Sequence, residues 1–173
     1  MLDLIPEDAR VFGRRESTRS DDVVLAVSTG IAGITERWVG IARAGVRSLR
    51  GALSGAFSTP NPSRICVVAR GDAYLIDVVA PERYQTIDTA GPVLEVRALI
   101  KQNLLLLVTP WTITAVGEHG VCWRTRRLAI EGVRLDEADG NWLAGVADPD
   151  SDESRDFAVD LTTGRHEGGV PLC

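Results

Sequence analysis

The sequence is poor in the residues from which most metal and redox sites are built. Its 173 residues include two histidines, one methionine and three cysteines, Cys66, Cys122 and Cys173. An odd number of cysteines without a Cys-x-x-Cys pair argues against a disulfide framework and against a zinc site. We therefore expect no cofactor, no metal and a reducing, cytoplasmic setting. Cys66 and Cys122 lie inside apolar runs, so we expect both to be buried, with Cys173 exposed.

Long hydrophobic runs are also missing. The longest, around Leu104 to Val108, is far shorter than the ~20 residues that a membrane helix needs. The first residues include acidic side chains, where a signal peptide would have a basic start followed by an apolar block. These patterns predict that the protein has no membrane partner.

Positive charge is scarce in the last quarter of the chain. Residues 131–173 contain 3 Lys or Arg against 11 Asp or Glu, whereas residues 1–130 contain 16 against 13. With a net charge of −5, the chain lacks the basic stripe that general nucleic-acid binding requires. We therefore expect no nucleic-acid partner. The local exception is the cluster Arg124, Arg126 and Arg127.

The hydrophobic pattern divides the chain in two. Residues 1–22 mix charges of both signs without a sustained period and are predicted to be a flexible N-terminal arm, with a short helix around Pro6 to Phe12 as an option. From Val23 onward, β-branched and aliphatic runs of four to eight residues are bounded by Gly, Pro, Asn and Asp. This pattern predicts a single all-β domain over residues 23–173.

The apolar runs recur at a fixed step. Core runs begin at Ile65, Leu104 and Leu143, each 39 residues after the last, and Val93 and Val133 are 40 residues apart. A period of about 40 residues with several strands per unit predicts an antiparallel meander of repeated units. Such units could form a propeller-like ring or fold into a two-sheet β-sandwich, and the pattern leaves both arrangements open.

Two stretches add a family resemblance. "DFAVDLTTGRHEG" and, more loosely, "WTITAVGEHGVCWRT" resemble the blade ends of quinoprotein-type and WD-type β-propeller repeats, and the similarity covers residues 63–169. The resemblance implies small sheets arranged around an axis. The WD dipeptide, the Gly-His pair and the tryptophan-docking consensus do not all occur in any one unit. Three units and a degenerate one in residues 22–57 make four, the lower limit for a ring.

The acidic stretch "DPDSDESRD" has the alternating spacing of a calcium loop at Asp148, Asp150 and Asp152. A calcium loop of the EF type needs Gly at its sixth position and a bidentate acid at its twelfth, and these positions hold Glu153 and Val159. We interpret the stretch as a solvated hairpin loop without a metal.

No catalytic motif surrounds the histidines. His119 and His166 lie in the turn-like stretches "GEHG" and "GRHEGG", and no GxSxG elbow or phosphate-binding loop occurs. The pattern favours a noncatalytic protein-interaction or scaffold module over an enzyme. The alternative is a small-molecule-binding domain or enzyme with a loop-built cleft that involves His119 or His166.

Aromatic and cationic residues come together in one segment. In "WRTRR" the two-residue period of a strand places Trp123, Thr125 and Arg127 on one face and Arg124 and Arg126 on the other. Tryptophan and arginine are enriched in interface hot spots. The predicted binding residues are Trp111, Trp123, Arg124, Thr125, Arg126 and Arg127. They would contact an acidic protein partner or a second copy of the chain, unless Trp123 is a core residue beside a solvated strand edge.

Overall fold

The computed structural model describes residues 9–13, 22–31, 34–44 and 51–170. Within these ranges the chain forms β-strands and connecting loops, with one 3₁₀ turn at Ile100–Gln102 and no α-helix. The prediction of an all-β fold is confirmed. No helix in the described ranges is long and apolar enough to cross a membrane.

The first sheet has three strands. They are β1 (Arg10–Phe12), β2 (Val23–Ile31) and β3 (Ile34–Ala42), in the order β1-β3-β2. β2 and β3 are antiparallel, whereas β1 lies parallel to β3. Residues 10–12 thus form a strand and are not part of the short helix considered for this segment. Phe12 is buried against Trp38, which holds the strand on the sheet. Residues 1–8 and 14–21 of the predicted arm lie outside the described residues.

The other twelve strands form three sheets, each an antiparallel meander of four consecutive strands. The second sheet contains β4 (Gly55–Ser58), β5 (Arg64–Ala69), β6 (Asp72–Asp77) and β7 (Tyr84–Ile87). The third contains β8 (Glu95–Leu99), β9 (Leu104–Val108), β10 (Ile113–Gly117) and β11 (Gly120–Arg124). The fourth contains β12 (Val133–Asp139), β13 (Trp142–Ala147), β14 (Arg155–Asp160) and β15 (His166–Gly168).

Three hydrophobic cores join consecutive sheets. One lies between the first and second sheets, one between the second and third, and one between the third and fourth. In β9, Leu105 and Leu107 face the second sheet, while Leu106 and Val108 face the fourth. Because both faces of this strand are covered, its sequence is a continuous apolar run without alternation.

The residues of the 39-residue step lie on corresponding strands. Ile65, Leu104 and Leu143 belong to β5, β9 and β13, the second strands of their sheets. Their side chains do not all face the same way: Ile65 and Leu143 pack on the preceding sheet, whereas Leu104 packs towards the following one. Leu105 is the residue of β9 that faces the preceding sheet. A shift of one residue reverses the face, because strand side chains alternate.

A side-chain donor reaches across each of the three sheet interfaces. In these three bonds the acceptor is the backbone carbonyl of the residue that follows the third strand of the sheet that comes second in the chain. The pairs are Trp38 Nε1 to Val78 O at 2.9 Å, Asn61 Nδ2 to Glu118 O at 2.9 Å, and Trp123 Nε1 to Leu161 O at 2.8 Å. These bonds fix neighbouring sheets at the same end of their third strands.

The cysteine prediction is half right. Cys66 is buried in β5, and burial raises the pKa of its thiol to about 12, so this group is inert at neutral pH. Cys122 is exposed, which corrects the prediction: β11 is an outer strand in which only Gly120 and Trp123 are buried. Both thiols are free. Cys173 lies outside the described residues.

Candidate functional site

The arginine cluster begins where β11 ends. Thr125 continues the pairing with β10, since its N–H donates to Ile113 O at 2.9 Å and its hydroxyl accepts the Ile113 N–H at 3.0 Å. Thr125 is therefore buried, and the flanking side chains of Arg124 and Arg126 are exposed, as the alternation predicts. Arg127 is exposed as well, because the chain leaves the sheet at this point.

Trp123 is a core residue. Only 9% of it is exposed, and it belongs to the core between the third and fourth sheets. Its indole N–H donates a hydrogen bond to the Leu161 carbonyl. Of the predicted binding residues, Trp123 and Thr125 thus hold the segment in place and do not present their side chains to a partner.

Arg124 is partly neutralised. Its Nη1 lies 2.8 Å from Asp88 Oδ2 and donates to Asp88 O at the same distance. The Arg124 guanidinium is the main cause of a lowered pKa at the Asp88 carboxyl, helped by the Ala90 N–H. Because Asp88 is exposed, this pair contributes at most about 1 kcal/mol to stability.

Arg127 and Trp111 form a second aromatic-cationic contact. The Arg127 guanidinium carbon lies 5.9 Å from the centre of the Trp111 ring, within cation–π range. Both side chains also donate to the Ile130 carbonyl, Trp111 Nε1 at 2.9 Å and Arg127 Nη2 at 3.4 Å. Ile130 itself is 58% exposed. The indole and the guanidinium are held together at the surface beside an apolar side chain.

A turn of the fourth sheet faces the same arginines. After β14, the Asp160 carboxylate accepts the Thr162 N–H and the Thr163 hydroxyl, both at 2.8 Å, and the Gly164 N–H donates to Asp160 O at 2.7 Å. The bonds from Thr162 and Thr163 lower the pKa of the Asp160 carboxyl, and all three bonds close a tight turn. The turn places Arg165 and His166 opposite the end of β11.

Two cavities share Arg124 and Arg126. The larger, of about 530 Å³, lies between the third and fourth sheets, and we call it the interface cavity. It is lined by Arg124, Arg126, Thr163, Gly164, Arg165 and His166. The smaller, of about 320 Å³, is the tryptophan hollow. Its lining includes Trp111, Thr112, Arg124, Thr125, Arg126 and Arg127.

His166 is the one predicted histidine that lines the interface cavity. Burial, and secondarily the positive charge of Arg126, lower the pKa of its imidazole. His166 is therefore mostly neutral at pH 7 and can donate one hydrogen bond. His119 lies in the exposed turn between β10 and β11, where its backbone carbonyl accepts a bond from Arg64 at 3.2 Å.

The acidic loop after β13 has a structural role. Asp148 is 7% exposed, and its Oδ1 accepts the N–H groups of Ile130, Glu131 and Gly132 at 2.9, 2.6 and 3.2 Å. Its carboxylate is thus occupied by the loop that precedes β12. Among the described residues, no group of three or more His, Cys, Asp or Glu is arranged to hold a metal ion.

Comparison with known proteins adds no function. No protein-family model matches the chain, and no curated protein matches its sequence.

Proposed function

We propose that the chain is a noncatalytic protein-interaction module whose contact surface consists of Arg124, Arg126, Arg127 and Trp111. The supporting observation is that three guanidinium groups and an indole surround one hollow, beside an exposed Ile130. Arginine and tryptophan make stacking and bidentate contacts with acidic groups at modest entropic cost. The matching partner is an acidic segment of another protein, drawn to a positive surface on a chain of net charge −5.

A second copy of the chain is one partner of the required charge. The outer face of the fourth sheet is acidic at its edges, with Asp139 and Glu167 exposed, and carries Trp142, which is 49% exposed. Apolar side chains ringed by acids complement a hollow of arginines beside an apolar residue. Self-association between these surfaces would be head-to-tail.

Charge reversal tests this function. The double variant Arg124→Glu, Arg126→Glu should bind a fluorescent polyglutamate peptide at least about tenfold more weakly in an anisotropy titration, since attraction becomes repulsion. Any concentration-dependent self-association in sedimentation velocity should also decrease. The matched control is Arg37→Glu, Arg83→Glu, which changes the net charge equally at exposed positions outside both cavities and outside the fourth sheet. Equal loss in both variants would show a net-charge effect and contradict the proposal.

The alternative function is the binding of a small anionic ligand in a cleft that involves His166. It is favoured by the presence of His166 in one cavity with three arginines. A ligand-binding or catalytic role predicts that His166→Gln abolishes binding, whereas an interaction surface centred on the tryptophan hollow predicts little change. Titrations of inorganic phosphate and of the polyglutamate peptide against this variant separate the two, since a cleft predicts loss of phosphate binding and the interaction surface predicts unchanged peptide binding.

We also propose that the three four-stranded sheets correspond to propeller-type blades. The support is the recurring bond across sheet interfaces, made twice by a tryptophan, Trp38 or Trp123, whose acceptor carbonyl follows an aspartate. Superposition of the second, third and fourth sheets tests this, and unequal strand geometry would contradict it.

We propose a cytoplasmic location for the protein, supported by the free thiols of Cys66 and Cys122. Cell fractionation tests the location.

A further inference from the structure

The interface cavity has an unbalanced positive charge. Of its three arginines, Arg124 is paired with Asp88, whereas Arg126 and Arg165 have no ion-pair partner among the described residues. His166 is mostly neutral at pH 7 and no acid lines the cavity. The wall therefore presents a charge of about +2 that an anionic ligand would neutralise.

The acid of the turn that carries Arg165 does not supply this charge. Asp160 opens the turn that carries Arg165, and its carboxylate oxygens already accept the Thr162 N–H and the Thr163 hydroxyl. Those bonds point the carboxylate into its own turn. The cavity's positive charge is thus a built-in feature of the turn and of the end of β11.

The backbone turn on one side of the cavity is anchored to Trp123. Gly164 lies against the ring of Trp123, where a Cβ atom would be 2.7 Å from the indole. Trp123 in turn is bonded to Leu161 of the same turn. These contacts position the backbone of Arg165 and His166 relative to that of Arg124 and Arg126, which lowers the entropic cost of bringing the four side chains to one ligand.

We propose that the interface cavity binds a phosphomonoester dianion, held by Arg126 and Arg165 with Arg124 and His166 as further donors. A phosphate monoester carries a charge of about −1.5 to −2 at pH 7 and three acceptor oxygens, which matches two free guanidinium groups. A single carboxylate carries half that charge and would leave one arginine unpaired. This inference rests on the proposed function in one respect: a phosphorylated side chain of a protein partner is the source of phosphate that an interaction module would meet.

Calorimetric titration with three probes tests the proposal at one fixed ionic strength. The probes are inorganic phosphate, a short peptide with one phosphoserine, and the same peptide with glutamate at that position. The phosphopeptide should bind at least about tenfold more tightly than the glutamate peptide, because each lost charged hydrogen bond costs about that factor or more. Equal affinity for the two peptides would overturn the proposal.

Four variants localise the site. Arg126→Gln and Arg165→Gln should each weaken phosphopeptide binding at least about tenfold, since each removes one of the two free charges. Arg127→Gln, which lies in the tryptophan hollow only, and Arg83→Gln, which lies in neither cavity, should change the affinity for inorganic phosphate less than about twofold. Full retention of phosphate binding by Arg165→Gln would exclude the interface cavity as the phosphate-binding site.

The outcomes separate this inference from the proposed function. Binding of inorganic phosphate with loss in Arg165→Gln, but no binding of either peptide, would support the site with free phosphate as its ligand and would contradict the protein-interaction role. Polyglutamate binding that depends on Arg127, together with no phosphate binding, would support the interaction surface and overturn the phosphate site.

Discussion

Trp123 and Gly164 are in contact across the interface of the third and fourth sheets. The indole ring of Trp123 covers Gly164 so closely that a Cβ atom there would lie 2.7 Å from the ring, and its N–H is bonded to Leu161 O at 2.8 Å. The contact joins the end of β11 to the turn after β14. It therefore sets the position of the arginines on one side of the interface cavity relative to Arg165 and His166 on the other.

Replacing Gly164 with alanine should destabilise the fold more than a conformational effect alone. Gly164 has φ +72°, where an L side chain costs about 1–2 kcal/mol. The contact with the Trp123 ring adds an overpacking cost of about 1–3 kcal/mol. Gly140→Ala is the matched control, since Gly140 has φ +56° and no atom within 4 Å of its Cβ position. Urea denaturation measures both, and equal losses would show that the Trp123 contact is unimportant.

Replacing Asp148 with alanine should cost about 1–3 kcal/mol of stability. Its carboxylate satisfies the N–H groups of Ile130, Glu131 and Gly132, and partly buried donors left without an acceptor are unfavourable. Asp148→Asn retains one acceptor oxygen and should lose less. Asp150→Ala, at an exposed position of the same loop, should stay within about 0.5 kcal/mol of the parent. Chemical denaturation checks all three, and a loss in Asp150→Ala equal to that in Asp148→Ala would contradict the capping role.

Calcium should leave the melting temperature unchanged. The Asp148 carboxylate is occupied by backbone donors, and the loop has Glu153 and Val159 where a calcium loop needs Gly and a bidentate acid. A specific site at 100 times its dissociation constant would add about 2.7 kcal/mol. A thermal melt in millimolar calcium measures this, with magnesium at equal concentration as the ionic-strength control. A clear upward shift with calcium alone would reveal a metal site in the loop.

The sequence predicts the inner strands well and two of the outer strands, β7 and β15, poorly. β5 and β9 are covered on both faces, so their apolar runs are unmistakable. β7 and β15 lie at sheet edges, and each has mostly exposed side chains, so neither has an apolar run. Edge strands form because their backbone groups pair with an inner strand, and that pairing leaves no hydrophobic signal in sequence.

Half of the candidate site could be predicted. Alternation correctly places Arg124 and Arg126 at the surface beside a tryptophan. Arg165 and His166 reach the same cavity only because Trp123 binds a turn 38 residues later in the chain. This separation of 38 residues is close to the 39-residue step between the apolar runs. The repeat in the sequence could therefore have indicated that the two segments lie side by side. The charge imbalance that follows depends on the Arg124–Asp88 pair, which no local pattern indicates.

His166 should titrate below its ordinary value of about 6.5. Burial is the first cause of its lowered pKa and Arg126 the second, so Arg126→Gln should raise the pKa without restoring it fully. Arg124 and Arg165 line the same cavity and remain as positive neighbours. Proton NMR of the imidazole ring against pH measures this, with His119→Gln to assign the signals and Arg127→Gln as the control.

The lowered pKa of His166 also determines how the stability of the fold depends on pH. Because the lowered pKa favours neutral His166 in the folded state, the unfolded chain takes up the proton first as pH falls. His166 therefore contributes full stability above about pH 6.5, and this contribution is lost as pH falls through the lowered pKa. His166→Gln should lose less stability than the parent between neutral pH and pH 5, as measured by urea denaturation at each pH. An imidazole that titrates above 6.5 in the parent protein would contradict the lowered pKa and its assignment to burial beside Arg126.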